Sequence, residues 1–248
     1  MDNCMLVEIC LPMKNEDEIV RENLLKILRF CKLANFPFNW KIIGISNGSS
    51  DKTVEILRDL KKLYPEYVDY IDSPLPGRGR ALKSYWATSA ADIWAYLDID
   101  LAVLPEQLPD LIMPLVTGGA DIAIGSRLIS GAKIERSEFR EFISRVFNLM
   151  SRLVLAHKVS DLQCGFKAIK AETYRKILPY LRNDFWYFDS ELIIIGLHFS
   201  YRLKEVPVNW VENRFKQRAS KVKIVKDILK FLRDMVNLRW RLFFMPKK

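Results

Sequence analysis

Long apolar stretches are missing from this sequence. None of its hydrophobic runs approaches the roughly 20 residues that a helix needs to cross a bilayer, although 50% of the 248 residues are hydrophobic. The start of the chain also lacks the basic and then apolar pattern of a secretory signal. We therefore expect a globular, cytoplasmic protein without a membrane span.

Cysteine and histidine are scarce, which argues against several kinds of functional site. The four cysteines are scattered without Cys-x-x-Cys spacing, so the pattern favours reduced thiols over disulfides or a zinc site. The two histidines, His157 and His198, do not lie near a second candidate ligand in the sequence. The pattern gives little support to a metal-histidine site or to a Ser-His-Asp triad.

Excess positive charge is confined to the end of the chain. The formal net charge is +9, yet residues 214–248 alone contain twelve Lys and Arg against two Asp and Glu. The preceding residues are therefore close to neutral. Such a localised field indicates an anionic partner at that end, namely phosphate, nucleic acid or an anionic membrane surface.

Short apolar runs alternate with helical patterns through the first half of the chain. Strands are predicted at residues 5–10, 41–46, 67–71, 93–97 and 122–125. Amphipathic helices are predicted at residues 16–33, 53–63 and 81–90. This alternation predicts an α/β fold, with a mostly parallel sheet flanked by helices and ligands at the carboxyl ends of its strands. We expect one such domain over residues 1–213, followed by a basic amphipathic helix over 214–248.

Two aspartates follow the fourth predicted strand. Asp98 and Asp100 are two residues apart, so in an extended chain both carboxylates face the same side and can enter one cleft. A divalent cation relieves their mutual repulsion, and oxygen ligands favour Mg²⁺ or Mn²⁺. On position alone, the alternative is a polar strand end with two solvated acids, because Asp-x-Asp is short and common.

Four other segments place polar residues where a ligand could bind. The turn at residues 46–51 joins a strand to a helix and offers backbone N–H groups to a nucleotide, unless it is simply a capped helix start. The basic loop at 77–80 could contact phosphate or remain a solvated turn. Arg127 could bind phosphate through two hydrogen bonds or lie on the surface. Residues 161–167 are either functional or a buried turn.

Taken together and in this order, these segments resemble family 2 glycosyltransferases of the GT-A fold, especially the dolichyl-phosphate mannose and dolichyl-phosphate glucose synthases. The resemblance extends from about residue 6 to residue 222. The matching segments are 11–16 (similar to Pro-x-x-Asn-Glu), 47–51 (Asp-Gly-Ser-Thr-Asp), 77–82 (Gly-Lys-Gly-x-Ala-Leu), 96–101 (the Asp-x-Asp strand), 125–127, 161–167 (Asp-Thr-Gln-Cys-Gly-Phe-Lys), 188–191, 205–210, and Arg214 with Ser220 and Lys221.

The resemblance implies a role for each matched side chain. The nucleotide-sugar donor would contact Pro12, Glu16, Asn47, Arg78, Asp98 and Arg127. Asp98 and Asp100 would hold the Mg²⁺ or Mn²⁺ that neutralises the diphosphate, and Asp161 would lie close to the transferred sugar as the third catalytic residue. Donor or acceptor phosphates would face Arg127, Arg214, Ser220 and Lys221.

The resemblance also implies the reaction. It is the metal-dependent, inverting transfer of a hexose from GDP-mannose or UDP-glucose to a polyprenyl phosphate such as dolichyl phosphate, and residues 163–167 lean toward the glucose synthases. The closest alternative is a family 2 enzyme with a saccharide or other non-lipid acceptor. A nucleic-acid-binding protein fits less well, since no basic stripe interleaved with aromatics is evident. A catalytically silent scaffold is a further alternative.

Three positions depart from the family pattern. Asn47 stands where Asp is usual, which removes a charge, adds a donor and leaves the base preference open. Ala102 stands where related synthases often have a polar metal ligand, so the metal would rely on Asp100 and water. Lys14 replaces a common Tyr of the opening motif.

The basic end of the chain has helical spacing of apolar residues over 221–244. One interpretation is a helix packed on the sheet. The other is an interfacial helix whose cations contact lipid phosphates, with Trp240, Phe243 and Phe244 at the membrane boundary. Both can hold for different faces, and we expect peripheral association with the cytoplasmic membrane face.

Overall fold

The computed structural model describes residues 5–212 and 224–246 of the chain. Its strands are Leu6–Met13 (β1), Asn39–Asn47 (β2), Val68–Ser73 (β3), Ile93–Tyr96 (β4), Ile122–Ser126 (β5), Lys133–Glu135 (β6), Lys167–Lys170 (β7), Leu203–Pro207 (β8) and Asn209–Val211 (β9). Its α-helices are Val20–Leu33 (α1), Thr53–Leu63 (α2), Arg78–Trp86 (α3), Leu108–Val116 (α4), Glu138–Leu155 (α5), Ala171–Ile177 (α6), Phe188–His198 (α7) and Ile224–Phe244 (α8).

Within these residues the main sheet has seven strands in the order β3-β2-β1-β4-β7-β5-β8. Strands β1 to β4 run parallel to one another, and β5 is parallel to β8. Only β7, between β4 and β5, is antiparallel to both of its neighbours. Strands β6 and β9 form a separate parallel pair. The prediction of a mostly parallel sheet flanked by helices is confirmed.

The direction of β7 decides which segments meet at the carboxyl edge of the sheet. Strands β1, β2, β4, β5 and β8 all end at this edge, because they share one direction. Since β7 runs the opposite way, it begins there, and the preceding residues 161–166 are brought to the same edge. One edge of the sheet therefore gathers turns that are distant in sequence.

The sheet is buried on both faces, because alternate side chains of each strand enter different apolar clusters. Val7 and Ile9 of β1 pack in the cluster that contains α1, α2 and α4. Cys10 packs in the opposite cluster, which contains residues of α3, α5, α6, α7 and α8. Two closed apolar layers hold the strand ends in fixed relative positions.

Helix α8 packs on the second of these clusters. Its Met235 is fully buried and Leu238 is 1% exposed, while Arg241 forms an ion pair with Glu191 of α7 at 2.5 Å. The interpretation of the C-terminal helix as packed on the sheet domain is therefore confirmed for this face. In the described part of the chain, we find no helix that combines the length and the apolar character of a membrane span.

Candidate active site

Asp98 lies at the centre of a charged cluster at the carboxyl edge. Its Oδ1 accepts a hydrogen bond from Arg78 Nη1 at 2.6 Å, and its side chain is 27% exposed. Its Oδ2 lies so close to Gly165 that a Cβ at that position would overlap it. Only glycine at position 165 leaves room for this carboxylate, so the segment that precedes β7 shapes the site.

Arg78 is the buried cation of this cluster. It lies in the first turn of α3, is 6% exposed, and has its Nε 3.7 Å from Asp189 Oδ2. Among the described residues, its Nε and Nη2 have no hydrogen-bond partner. Burial alone would lower the pKa of Arg78, but the charges of Asp189 and Asp98 raise it. A permanently charged guanidinium with unsatisfied N–H groups is suited to an anionic ligand.

Asp100 lies in a turn and not in an extended chain. Strand β4 ends at Tyr96, and the N–H of Leu101 donates to the carbonyl of Asp98 at 3.1 Å. Leu101 has a φ of 52°, a left-handed conformation that is uncommon for leucine. The expectation of an extended aspartate pair was therefore wrong, because the chain turns soon after β4. Ile99 between them is buried, and both aspartates remain partly exposed.

The aspartate pair is a chemically suitable position for a divalent cation. No group of three or more His, Cys, Asp and Glu side chains comes together as a metal site within residues 5–212 and 224–246. Asp100 Oδ1 accepts a hydrogen bond from the N–H of Ala102 at 3.3 Å, which fixes this carboxylate within the turn. Mg²⁺ is commonly bound by one or two carboxylates together with water and substrate phosphates. The pair therefore fits an ion whose coordination a bound diphosphate completes.

A buried ion pair connects the end of β5 to the segment that precedes β7. Arg127 Nε and Nη2 donate to the two carboxylate oxygens of Asp161 at 2.6 and 2.9 Å. Asp161 is fully buried and also accepts from the N–H of Gln163 at 3.1 Å. Burial alone would raise the pKa of Asp161, but Arg127 lowers it to about 2. Asp161 is therefore ionised and holds the Arg127 guanidinium in place, 4.8 Å from the centre of the Trp210 ring.

Arg136 belongs to this site, although no sequence motif points to it. It lies two residues before α5, and its Nε and Nη2 are buried without a hydrogen-bond partner in the described part of the chain. Arg136 directly follows β6, whose Ile134 pairs with Trp210 of β9, and Trp210 is the residue whose ring Arg127 contacts. Burial and then the charge of Arg127 lower the pKa of Arg136. A guanidinium with unsatisfied N–H groups near a second cation is suited to a phosphate.

Pro12, Glu16 and Asn47 lie at the ends of two adjacent strands, and all three are buried. The N–H of Glu16 donates to Thr53 Oγ1 at 2.9 Å, which connects the loop after β1 to the start of α2. Asn47 Nδ2 donates to the carbonyl of Met13 at 2.8 Å. An aspartate at position 47 could not make this bond, because an ionised carboxylate has no hydrogen to donate.

The remaining predicted site residues cannot be placed. Arg214, Ser220 and Lys221 lie outside the described residues, and their assignment to phosphates stays a prediction. The predicted domain boundary between residues 213 and 214 falls in the same gap and also stays a prediction. The other predicted residues lie in turns and strand ends at the carboxyl edge, except Arg78, which is the first residue of α3.

The order of these segments along the chain matches a known family. Residues 8–178 match the model for glycosyl transferase family 2. The chain belongs to this family. It is therefore a glycosyltransferase, and the charged cluster at the carboxyl edge is the candidate active site of a family 2 enzyme.

Relatives of this family 2 enzyme include archaeal and eukaryotic proteins. Glycosyltransferase AglD of Haloferax volcanii is 28% identical over 97% of this chain and 38% of its own length. A dolichyl-phosphate beta-glucosyltransferase of Saccharomyces cerevisiae is 27% identical over 96% of this chain and 75% of its own length. The Trichomonas vaginalis protein ALG5C, which bears the same enzyme name, is 30% identical over 82% of this chain and 61% of its own length. The chain thus spans between about two fifths and three quarters of these relatives.

Solved structures confirm the fold of this family 2 enzyme. Glucosyl-3-phosphoglycerate synthase from Mycobacterium tuberculosis, in complex with Mn²⁺, UDP-glucose and glycerol 3-phosphate, covers 99% of this chain with a TM-score of 0.63 and 19% identity. The match covers 82% of that structure. The prediction of a GT-A fold is confirmed.

The close approach of Asp98 to Gly165 gives a first prediction. We expect Gly165→Ala to lower sugar transfer by about 100-fold, because the added methyl group displaces a carboxylate of the candidate metal site. Initial rates with saturating donor measure the effect. Gly119→Ala is the matched control, since a Cβ there meets nothing closer than 3.4 Å. Full activity of the Gly165 variant would show that Asp98 is not needed in its present position.

The amide of Asn47 gives a second prediction. We expect Asn47→Asp to lower the free energy of unfolding by about 1–3 kcal/mol, because a carboxylate would face the Met13 carbonyl without a hydrogen to donate. Urea unfolding followed by circular dichroism near neutral pH measures the change. Asn237→Asp, at an exposed position of α8, is the control. An equal or higher stability of the Asn47 variant would contradict the predicted role of the amide.

Proposed function

We propose that the enzyme transfers a hexose, with glucose from UDP-glucose as the first candidate, to a polyprenyl phosphate such as dolichyl phosphate. The observation that carries the phosphate acceptor is the neighbouring pair Arg127 and Arg136, with buried N–H groups of Arg136 that lack an acceptor within the described residues. Two relatives named dolichyl-phosphate beta-glucosyltransferases, each aligned over more than four fifths of this chain, support the lipid and the sugar.

Each charged residue of the site then has a distinct task. Asp98 and Asp100 would hold Mg²⁺ or Mn²⁺, which would offset the negative charge that develops on the departing nucleoside diphosphate. Arg78 would face the donor diphosphate with its Nη2, which has no hydrogen-bond partner among the described residues. Arg127 and Arg136 would bind the acceptor phosphate. Pro12, Glu16 and Asn47 would line the donor base and ribose at the ends of β1 and β2.

Asp161 has a supporting task in this proposal. Its two oxygens are engaged by Arg127, so it would act as a positioning residue whose charge keeps the guanidinium oriented toward phosphate. A direct contact with the transferred sugar would require a rearrangement of this ion pair. We therefore assign Asp161 to the orientation of Arg127.

The reaction needs no strong general base. An oxygen of the acceptor phosphate is already anionic near neutral pH and attacks the anomeric carbon, while the bond from that carbon to the donor phosphate oxygen breaks. The electron pair of the broken bond leaves with the nucleoside diphosphate, and no proton has to move. A single displacement of this kind inverts the anomeric centre, and the rate depends mainly on positioning and on charge neutralisation.

The site of action follows from the acceptor. A polyprenyl chain does not leave a bilayer cheaply, at about 0.8 kcal/mol for each CH₂ group that becomes exposed. The enzyme would therefore work at a membrane surface, and we propose the cytoplasmic face, where nucleotide sugars are present.

A donor and acceptor panel tests the proposal. The purified chain is given UDP-glucose, GDP-mannose or another nucleotide sugar, with Mn²⁺ or Mg²⁺ and with or without dolichyl phosphate, and nucleotide release is measured. We expect release to depend on the metal, to be fastest with UDP-glucose, and to rise strongly with the lipid phosphate. Release that rises only with saccharides or small phosphorylated acceptors would favour the non-lipid alternative and contradict the lipid acceptor.

A further inference from the structure

Helix α5 has polar side chains directed inward. Asn148 and Ser151 are both fully buried. Asn148 Oδ1 accepts a hydrogen bond from the N–H of Leu162 at 3.0 Å, and Ser151 Oγ lies 3.0 Å from His157 Nε2. The inward side of the helix therefore combines these polar contacts with apolar ones, since Leu155 lies in the second apolar cluster and Phe147 and Val154 pack against it.

The opposite side of α5 is apolar and exposed. We call it the outer stripe, and its residues with their exposed fractions are Phe139 (59%), Phe142 (62%), Val146 (37%), Leu149 (52%), Met150 (37%) and Leu153 (75%). Successive members are mostly three or four positions apart, so they form one continuous stripe along the helix. Contiguous apolar surface of this kind marks a site of contact with a protein or a membrane.

The charges around the outer stripe favour an anionic lipid surface as its occupant. Arg145 and Arg152 are both exposed, and each lies three positions after a member of the stripe, Phe142 and Leu149 respectively. Arg145 forms an ion pair with Glu141 at 2.5 Å, which offsets part of its charge. Residues at this spacing are neighbours on a helix surface, so the two arginines border the stripe. Lys158, which follows the carboxyl end of the helix, is also exposed. An apolar face bordered by basic side chains is typical of helices that lie in a membrane interface.

The position of the outer stripe relative to the active site points to the same occupant. Its first residue, Phe139, is three positions after Arg136, one of the two proposed phosphate-binding arginines. A lipid whose phosphate lay at the arginine pair could therefore have its apolar chain in the layer that the stripe contacts. The geometry favours a bilayer over a second copy of the chain, because a bilayer also presents the acceptor.

We propose that the outer stripe of α5 is the surface by which this enzyme docks on an anionic membrane. The inference extends the proposed function, since it rests on an acceptor that resides in a bilayer. It differs from the expectation for the C-terminal helix, because it assigns the main contact to α5 and not to α8. Burial of the stripe in the interface places the arginine pair at the level of the lipid phosphates.

Flotation with vesicles tests the docking surface without any acceptor. The vesicles contain phosphatidylcholine with about one third phosphatidylserine and no prenyl phosphate, and the bound fraction of the full chain is measured. We expect the double variant Phe142→Gln/Leu149→Gln to have a vesicle partition coefficient about 100-fold lower than that of the unchanged chain. The reason is that the loss of each large apolar side chain from the lipid lowers this coefficient about tenfold. Both positions are exposed, so the fold should persist.

Two matched double variants show whether any loss of binding is specific to α5. Leu33→Gln/Leu63→Gln alters exposed leucines at the ends of α1 and α2 and should leave binding unchanged. Trp240→Gln/Phe243→Gln alters exposed residues of α8 and should have a smaller effect than the α5 variant. Equal binding by the α5 variant, or loss of binding only in the α8 variant, would overturn the proposal. The proposal would also be overturned if the unchanged chain did not bind vesicles and eluted as a dimer in size-exclusion chromatography, while the α5 variant eluted as a monomer.

A water-soluble, short-chain prenyl phosphate separates this inference from the proposed function. We expect the α5 variant to use the soluble acceptor at the rate of the unchanged chain, while its rate with dolichyl phosphate in vesicles falls. Equal loss with both acceptors would show that the stripe serves the active site and not the membrane. If the unchanged chain uses neither acceptor but still binds vesicles through the stripe, the proposed function fails and the docking surface stands.

Discussion

Asp100→Ala should lower sugar transfer by roughly 100- to 1,000-fold, because the variant removes a ligand of the cation that stabilises the departing diphosphate. The loss should appear in kcat more than in the affinity for the acceptor. Initial rates over a range of metal concentrations measure it, and added Mn²⁺ should restore little activity. Asp100 is partly exposed and bonds to the backbone of its own turn, so the unfolding midpoint should hardly change.

Asp110→Ala is the matched control for this experiment. Asp110 is an exposed aspartate in the first turn of α4, away from the charged cluster. We expect that variant to keep full activity. If Asp100→Ala instead stays folded and as active as the control, the assignment of Asp100 to the metal is wrong.

Variants of the ion pair between Arg127 and Asp161 should show that its effect on stability is distinct from its effect on catalysis. Asp161→Asn alone should lower the free energy of unfolding by about 3–5 kcal/mol, because it leaves the buried Arg127 without its counter-charge. The double variant Arg127→Gln/Asp161→Asn should recover most of this stability, since both buried charges are then gone. Its transfer activity should stay at least about 100-fold low, because the phosphate has lost a cation.

Chemical unfolding of the four members of this cycle, with initial rates on each, provides the measurement. A merely structural pair would regain activity together with stability in the double variant. Recovery of both would therefore contradict the proposed role of Arg127 at the acceptor phosphate. Loss of activity that persists in the well-folded double variant would support it.

The first half of the fold follows closely from the sequence pattern. Strands β1, β4 and β5 are buried apolar runs, and helices α1 and α2 have the spacing of one buried face. Helix α2 spans the predicted residues 53–63, and α3 begins three residues earlier than predicted, which places Arg78 in its first turn. Local period and turn chemistry are sufficient here, because most of these strands are short apolar runs and each of these helices buries one regular face.

The second half depends on tertiary contacts that a local pattern does not contain. Strand β7 is only four residues long, and its Lys167 is fully buried, against the usual preference of lysine for solvent. The spacing of apolar residues over 139–153 could have located helix α5, but not the fact that its apolar side faces outward. The sequence therefore could not assign the outer stripe to the surface.

In the candidate site as well, the local pattern predicts some residues, while others depend on tertiary contacts. The order of motifs predicted most of its residues, including Asp98, Asp100 and Arg127, because these follow strands that end at one edge. The sequence did not point to Arg136, because its importance depends on tertiary structure. Two of its nitrogens have no hydrogen-bond partner among the described residues, and the Arg127 guanidinium is nearby. The ion pair of Asp161 likewise depends on the reversed direction of β7, which brings two distant segments together.

Mass spectrometry of the lipid is the most direct test of sugar transfer to a polyprenyl phosphate. The chain is incubated with UDP-glucose, dolichyl phosphate and Mn²⁺, and the lipid fraction is analysed with and without a metal chelator. Metal-dependent catalysis at Asp98 and Asp100 predicts a lipid heavier by one hexose, absent when the metal is chelated. Unmodified lipid in both samples, across the nucleotide sugars of the panel, would contradict the proposed reaction.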